Sequence, residues 1–242
     1  MPHDLPVFIP AIFILTTIIT LLLFYWTVKG SSNEAVRKKS NGMLVVLILW
    51  LMIQAVLAIN NVYNSNTTSI PPKILLLGVA PMLLTIIFLF ITKKGRLFID
   101  SLPLKNITWL NIIRIPVELI LLELSIHKAV PQLMTFEGRN FDILSGITAP
   151  FVAYFGFTIN ILSRKIILAW NFICLALLAN IVINAILSAP FFLQQFAFDQ
   201  PNIAILYFPF NWLPAFIVPV VLFGHLVSIR QLLRSQLQSN NR

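Results

Sequence analysis

Three ionisable side chains, Arg114, Glu118 and Glu123, stand inside a single apolar stretch, and His127 follows at its end. The stretch reads WLNIIRIPVELILLELSIHK from Trp109 to Lys128. A charge placed at the centre of a bilayer costs roughly 3 kcal/mol or more, so such residues mark a functional site by default. A helix turns by about 100° per residue, which sets Arg114 and Glu118 one turn apart on one side and makes Glu123 and His127 a second such pair. Glu118 and Glu123 are then about 140° apart and face different surroundings, unless Pro116 bends the helix. Arg114 has two readings: a side chain snorkelling to the inner headgroups with Glu118 as its partner, or an inner latch or anion contact. Glu123 lies beside Leu121, Leu122 and Leu124 and favours the functional reading, a carboxyl that holds and releases a proton. His127 either keeps it ionised or exchanges that proton with it.

The next loop carries EGRNFD, residues Glu137–Asp142. Asp142 suits an N-terminal cap for the following helix, and Glu137, Arg139 and Asp142 are also candidates for an outer gate. The secondary polar candidates are His225, Asn171, Asn180 and Gln54. Buried amides join helices more often than they bind substrate, and His225 reads first as polar packing and second as a catalytic group. No nucleophile motif is present. The lone Cys174 gives neither a disulfide nor a zinc spacing, and His127 and His225 should differ in depth by roughly 20 Å, so no metal site is expected. The sequence leaves any cofactor open.

These side chains need helices to position them. The 242 residues are 58% hydrophobic and 10% charged, with mean hydropathy +0.90, which leaves too little polar surface for a water-facing domain. The expectation is an all-α, single-domain bundle of seven transmembrane helices over Val7–Val28, Met43–Asn60, Ile74–Thr92, Ile107–Ile126, Ile143–Leu162, Ile166–Leu187 and Trp212–Ile229. The runs lack the alternation of barrel strands. Thirteen Lys and Arg residues fall at one set of helix ends and three at the other, which puts the N-terminus outside and the C-terminus inside. The net charge of +9 is therefore topological, and no nucleic-acid partner is expected. MPHDLPVFIP lacks the positive region of a cleaved signal, so the first run reads as an uncleaved, N-out helix. The aromatic stretch Ser188–Asn211 reads as an interfacial belt or a lid, and the tail from Arg230 as an amphipathic helix on the inner leaflet. Trp50 to Asn60 and Trp170 to Asn180 share a ten-residue interval, a faint sign that helices one to three and five to seven are related.

Seven helices with an outer N-terminus match the layout of rhodopsins and G-protein-coupled receptors, but no lysine follows Lys165 for a retinal Schiff base and no paired outer cysteines exist. The layout also resembles PQ-loop sugar carriers, in topology alone, since the only Pro-Gln pair, Pro131–Gln132, lies in a loop. QLMTFEGRNFDILSGITAPF and FAFDQPNIAILYFPF resemble an uncharacterised multi-pass family of Bacteroidota. That resemblance implies a bacterial inner membrane and no activity.

Three functions fit. The first is a small proton-coupled transporter or carrier with its site on the fourth helix. The second is a membrane enzyme acting on a lipid or isoprenoid through Glu and His acid–base chemistry, using Glu118, Glu123, His127 or His225. The third is a non-catalytic subunit whose charges pair with a membrane-protein partner or a second copy. The expected surroundings are the lipid bilayer and a small-molecule or lipid substrate.

Overall fold

The computed structural model describes residues 5–240, with side chains to 234; the first four residues and the end of the tail lie outside it. Among the described residues the chain is helical throughout, without strands. The helices are α1 (Phe8–Lys29), α2 (Glu34–Ile59), α3 (Ala80–Ile91), α4 (Lys93–Asp100), α5 (Leu104–Leu110), α6 (Arg114–Ile126), α7 (Ile143–Phe157), α8 (Arg164–Ser188) and α9 (Val218–Asn240). Single π turns, Leu75–Val79 and Leu213–Ile217, lead into α3 and α9.

Among the described residues, four helices are long and apolar enough to cross a membrane: Phe8–Lys29, Glu34–Ile59, Arg164–Ser188 and Leu213–Arg234. A fifth span is added if Leu75–Ile91 and Lys93–Asp100, which meet at 92°, count as one. Two of the seven expected spans depart from an unbroken helix. The run Ile107–Ile126 is divided by a 3-10 turn at Asn111–Ile113 between α5 and α6. Pro116 causes the division: its ring clashes with the carbonyl four residues back, that of Ile112, inside the turn. The run Ile143–Leu162 stops at Phe157 after 15 residues, about 22 Å of helix. Helix α2, conversely, starts nine residues before its apolar run because Asn33 caps it, accepting from the Ala35 amide at 2.9 Å.

Burial decides which elements are central. In Leu213–Arg234, the π turn with most of α9, 67% of the spanning window is buried, against 22% in α2. The α5–α6 rod and α9 form the middle, with α1 and α7 against the rod and α8 against α9. The start of α7 comes close to the rod because residue 146 is glycine; a Cβ there would lie 2.9 Å from Cγ1 of Ile115 and 3.2 Å from Cβ of Arg114.

Prolines also explain how α2 is attached. Pro81 and Pro219 each free the carbonyl four residues upstream, at Leu77 and Ala215. Gln54 Nε2 donates to the first at 3.0 Å, and Trp50 Nε1 donates to the second at 3.0 Å. Tyr63 Oη donates to Gln54 Oε1 at 2.5 Å. Burial, partly offset by that hydrogen bond, pushes the Tyr63 phenol up to about 12, so it remains a donor at neutral pH.

Candidate functional site: a buried ionic chain

Arg114 opens α6 immediately after the 3-10 turn, about 15 Å along the rod from Leu104 and about 18 Å from Ile126. That is mid-span. After Ile126 the chain folds back on itself: a 3-10 turn, Gln132–Met134, leads through Asn140 to Asp142, where α7 begins. Gly138 permits the reversal, since a Cβ there would lie 2.3 Å from the carbonyl oxygen of Gln132. Non-helical backbone in a buried position is tolerated only where protein groups satisfy it. Here they do: the Asn140 and Arg139 amides donate to the carbonyls of Thr135 and Leu133, at 3.2 and 3.1 Å.

The Arg114 guanidinium lies at the centre of a chain of polar groups. Its Nη1 donates to Asp142 Oδ1 at 2.5 Å and to the Cys174 carbonyl at 3.4 Å, and its Nη2 lies 2.9 Å from His225 Nε2. A guanidinium only donates, so Nε2 accepts and the imidazole proton sits on Nδ1, which donates to Asn171 Oδ1 at 3.0 Å. On the other side, Asn140 joins the Glu118 carboxylate to the backbone of Asp142. Its Nδ2 lies 2.7 and 2.6 Å from the two oxygens of Glu118, and its Oδ1 accepts from the Asp142 amide at 3.0 Å. Arg114 is 3% exposed, Glu118 1%, Asp142 4% and His225 0%, so the chain is shielded from lipid and water alike.

The charge count is uneven, with one guanidinium for two carboxyl groups. A cavity of about 40 Å³ adjoins Arg114, Glu118 and Asp142, room for about one water. The Nε of Arg114 has no hydrogen-bond partner among the described residues. An apolar cavity of about 100 Å³ lies next to it, and the two share Leu121, Ile181, Leu213 and Val218 as walls.

Access differs on the two sides. At the basic end a vestibule of about 780 Å³, lined by Ser32, Asp100, Asn160, Arg164 and Gln231 among others, extends to Ile167. Asn171 is one turn further along α8 and donates to the Ile167 carbonyl at 2.9 Å. Asp100 on the vestibule wall binds Arg230 at 2.9 Å and also Arg234. Partial burial raises its carboxyl, but the hydrogen bonds and charges of the two arginines outweigh that and hold it below the ordinary value. At the opposite end Ser188–Asn211 is a packed cap. The Ile203 and Ala204 amides both donate to the Ala129 carbonyl, and Gln200 Nε2 donates to the carbonyls of Ser125 and Val130.

The structure brings together Arg114, Glu118, Asp142, His225 and Asn171. It changes two pairings. Glu118 is held by Asn140, while Arg114 takes Asp142 across the helix interface. Asp142, expected at the outer rim, is buried because the preceding loop folds inward. Glu123 and His127 stay apart from the chain, both half-buried. His127 Nδ1 sits 2.9 Å from the backbone carbonyl of Glu123, capping the end of α6, and makes no ion pair with its carboxylate. Glu137 and Arg139 are exposed, with the Arg139 guanidinium 6.0 Å from the Phe196 ring centre. Asn180 donates to the Arg139 carbonyl at 2.8 Å, and Gln54 belongs to the proline-freed contacts. Asn140 is the residue that sequence reasoning did not single out. Its signal is the Asn-x-Asp spacing at a helix start, in which an Asn side chain accepts from the amide two residues on.

These features define a class: an all-helical protein with several membrane-length helices and a buried ionic chain at its centre. Residues 71–233 match the model of a family described as a domain of unknown function, DUF8737, and the chain belongs to that family. Every residue of the ionic chain falls within the matched part. No curated protein and no solved structure matches the chain.

Proposed function

We propose that the protein is a multi-pass carrier of a bacterial inner membrane, coupled to protons, with seven crossings, its N-terminus outside and its C-terminus inside. In this reading the α5–α6 rod is the fourth crossing, and α7 with its inward-folded loop makes the fifth. The observation that carries the proposal is the buried ionic chain, one helical turn from a vestibule at the basic end and covered at the opposite end by the Ser188–Asn211 cap. That arrangement supports a carrier occluded from outside, with discontinuous helices meeting at the site. Two carboxyl groups facing one guanidinium leave one negative charge in excess, which a proton neutralises at least cost in a dry interior. Glu118, which makes no direct hydrogen bond to Arg114 and is held by Asn140, is the group assigned to carry it. His225 and Asn171 extend the path toward the vestibule. The pairing of these charges within the chain favours an internal site over one completed by a partner protein.

The test needs no known substrate. Purified protein on a solid-supported membrane is subjected to pH jumps, and the transient charge movement is recorded for wild type and Glu118→Gln. The variant should lose the transient and keep its fold; an unchanged transient in the folded variant sinks the assignment.

A second reading rests on the apolar cavity of about 100 Å³ beside the chain. It supports a lipid or isoprenoid substrate on which Glu118 acts as acid or base. Turnover of an isoprenoid substrate by wild type, lost in Glu118→Gln without any charge movement in either protein, would select it.

A further inference from the structure

Away from the ionic chain, a cleft opens between α2 and α3. Its wide end, about 710 Å³, is lined almost entirely by apolar groups and carries Lys39, Lys93 and Lys94. A second cavity of about 270 Å³ continues it, sharing Met43, Thr85, Leu89 and Phe98 and reaching Trp50. The two differ in chemistry. The wide end has three exposed lysines, none of them in a salt bridge among the described residues, whereas neighbouring Lys38 pairs with Glu34 at 2.9 Å. The continuation has no free polar group among the side chains that line it. The Thr85 hydroxyl donates to the Pro81 carbonyl at 2.8 Å, and the Trp50 indole is held by Ala215. No acidic side chain lines either part.

The elbow between α3 and α4 fixes this geometry. Thr92 Oγ1 accepts from the Gly95 amide at 3.1 Å, and a Cβ at Gly95 would lie 2.3 Å from the Leu89 carbonyl oxygen, so the turn closes only around glycine. The elbow thereby sets Lys93 and Lys94 on the same cleft as Lys39. From Lys39 to Trp50 is eleven residues of α2, about 16 Å. A hydrocarbon core is about 30 Å thick, so the cleft is one leaflet deep.

We propose that this cleft holds one anionic phospholipid from the leaflet on the lysine-rich face. Its phosphate sits among Lys39, Lys93 and Lys94, and one acyl chain lies past Met43 and Thr85 toward Trp50. The unpaired lysines select the headgroup by charge, and the apolar slot selects a lipid over a free anion. A lysine near a membrane surface strengthens attraction to an anionic partner by about fivefold. Three lysines share one phosphate, so about tenfold is the least combined effect expected of them.

The test uses the full chain in nanodiscs of equal phosphatidylglycerol and phosphatidylcholine, followed by native mass spectrometry. Wild type should retain one phosphatidylglycerol in preference to phosphatidylcholine. Lys39→Gln/Lys93→Gln/Lys94→Gln should lose that preference about tenfold, and Thr85→Trp, at an exposed cleft position, should lose the retained lipid with the lysines intact. Thermal unfolding checks that each variant is folded, and Lys93→Gln/Lys94→Gln gives the same reading if the triple variant is not. Equal retention of both lipids by wild type overturns the proposal, as does an unchanged preference in the folded lysine variant. Displacement of the lipid by soluble glycerol phosphate also overturns it, since the site would then be one for a free anion.

Discussion

Replacing Arg114 with Met leaves the Asp142 carboxylate, 4% exposed, without its guanidinium, and leaves His225 Nε2 without its donor. An orphaned partner of a buried ion pair costs about 3–5 kcal/mol, and an unsatisfied buried nitrogen costs about 1–3 kcal/mol more. Asp142→Asn strands the guanidinium instead and keeps the imidazole contact, so it should cost about 3–5 kcal/mol alone. The double variant removes both charges. Its loss should fall short of the sum of the singles by about 2–3 kcal/mol, the coupling of residues in one network. The lower end of each range is the safer expectation, because a chain unfolded within the bilayer also finds partners for its polar groups. Steric-trap unfolding in bicelles measures all four corners of the cycle. A coupling below about 0.5 kcal/mol would refute the reasoning, since Arg114 and Asp142 would then not act as a unit.

Gln54→Leu should destabilise the protein by about 1–3 kcal/mol, because the freed Leu77 carbonyl and the Tyr63 hydroxyl both lose a buried partner. An unaltered thermal midpoint would show that these contacts do not hold α2 in place. The Asp100 carboxyl sits below its ordinary value in the folded protein, so its bonds to Arg230 and Arg234 add stability in full above that ordinary value. The contribution disappears as pH falls through the lower, folded value, and an acid titration of stability should show this slope in wild type and not in Asp100→Asn.

Much of the fold is visible in the sequence, for definite physical reasons. Apolar runs such as Phe8–Lys29 and Arg164–Ser188 are helices because the hydropathy that shields their backbone is local information. The charges on the fourth run are equally conspicuous, since hydrocarbon makes each one costly. Pairing is where local reasoning ends. Arg114 and Glu118 are one turn apart, yet Arg114 binds Asp142, 28 positions away, because the loop after Ile126 turns inward. Glu123 has as much apolar sequence around it as Glu118 does. Only the packing of α7 and the loop before it against one side of α6 separates the buried carboxyl from the half-buried one. The short α7 is likewise hidden, since Ile143–Leu162 is apolar over most of its length and its stop at Phe157 rests on a local turn, with the Ile159 and Ile161 amides bonded back to Tyr154 and Phe155 and Asn160 left-handed.

Attachment of α2 by proline-freed carbonyls also bears on the history of the fold. The family match begins at residue 71, so α1 and α2 lie outside it, while Pro81, Pro219 and the carbonyls of Leu77 and Ala215 lie inside. The donors and the acceptors thus sit on opposite sides of that boundary. Either half can drift only while the other compensates: a relative whose second helix lacks donors at the depths of Trp50 and Gln54 should also lack the two prolines.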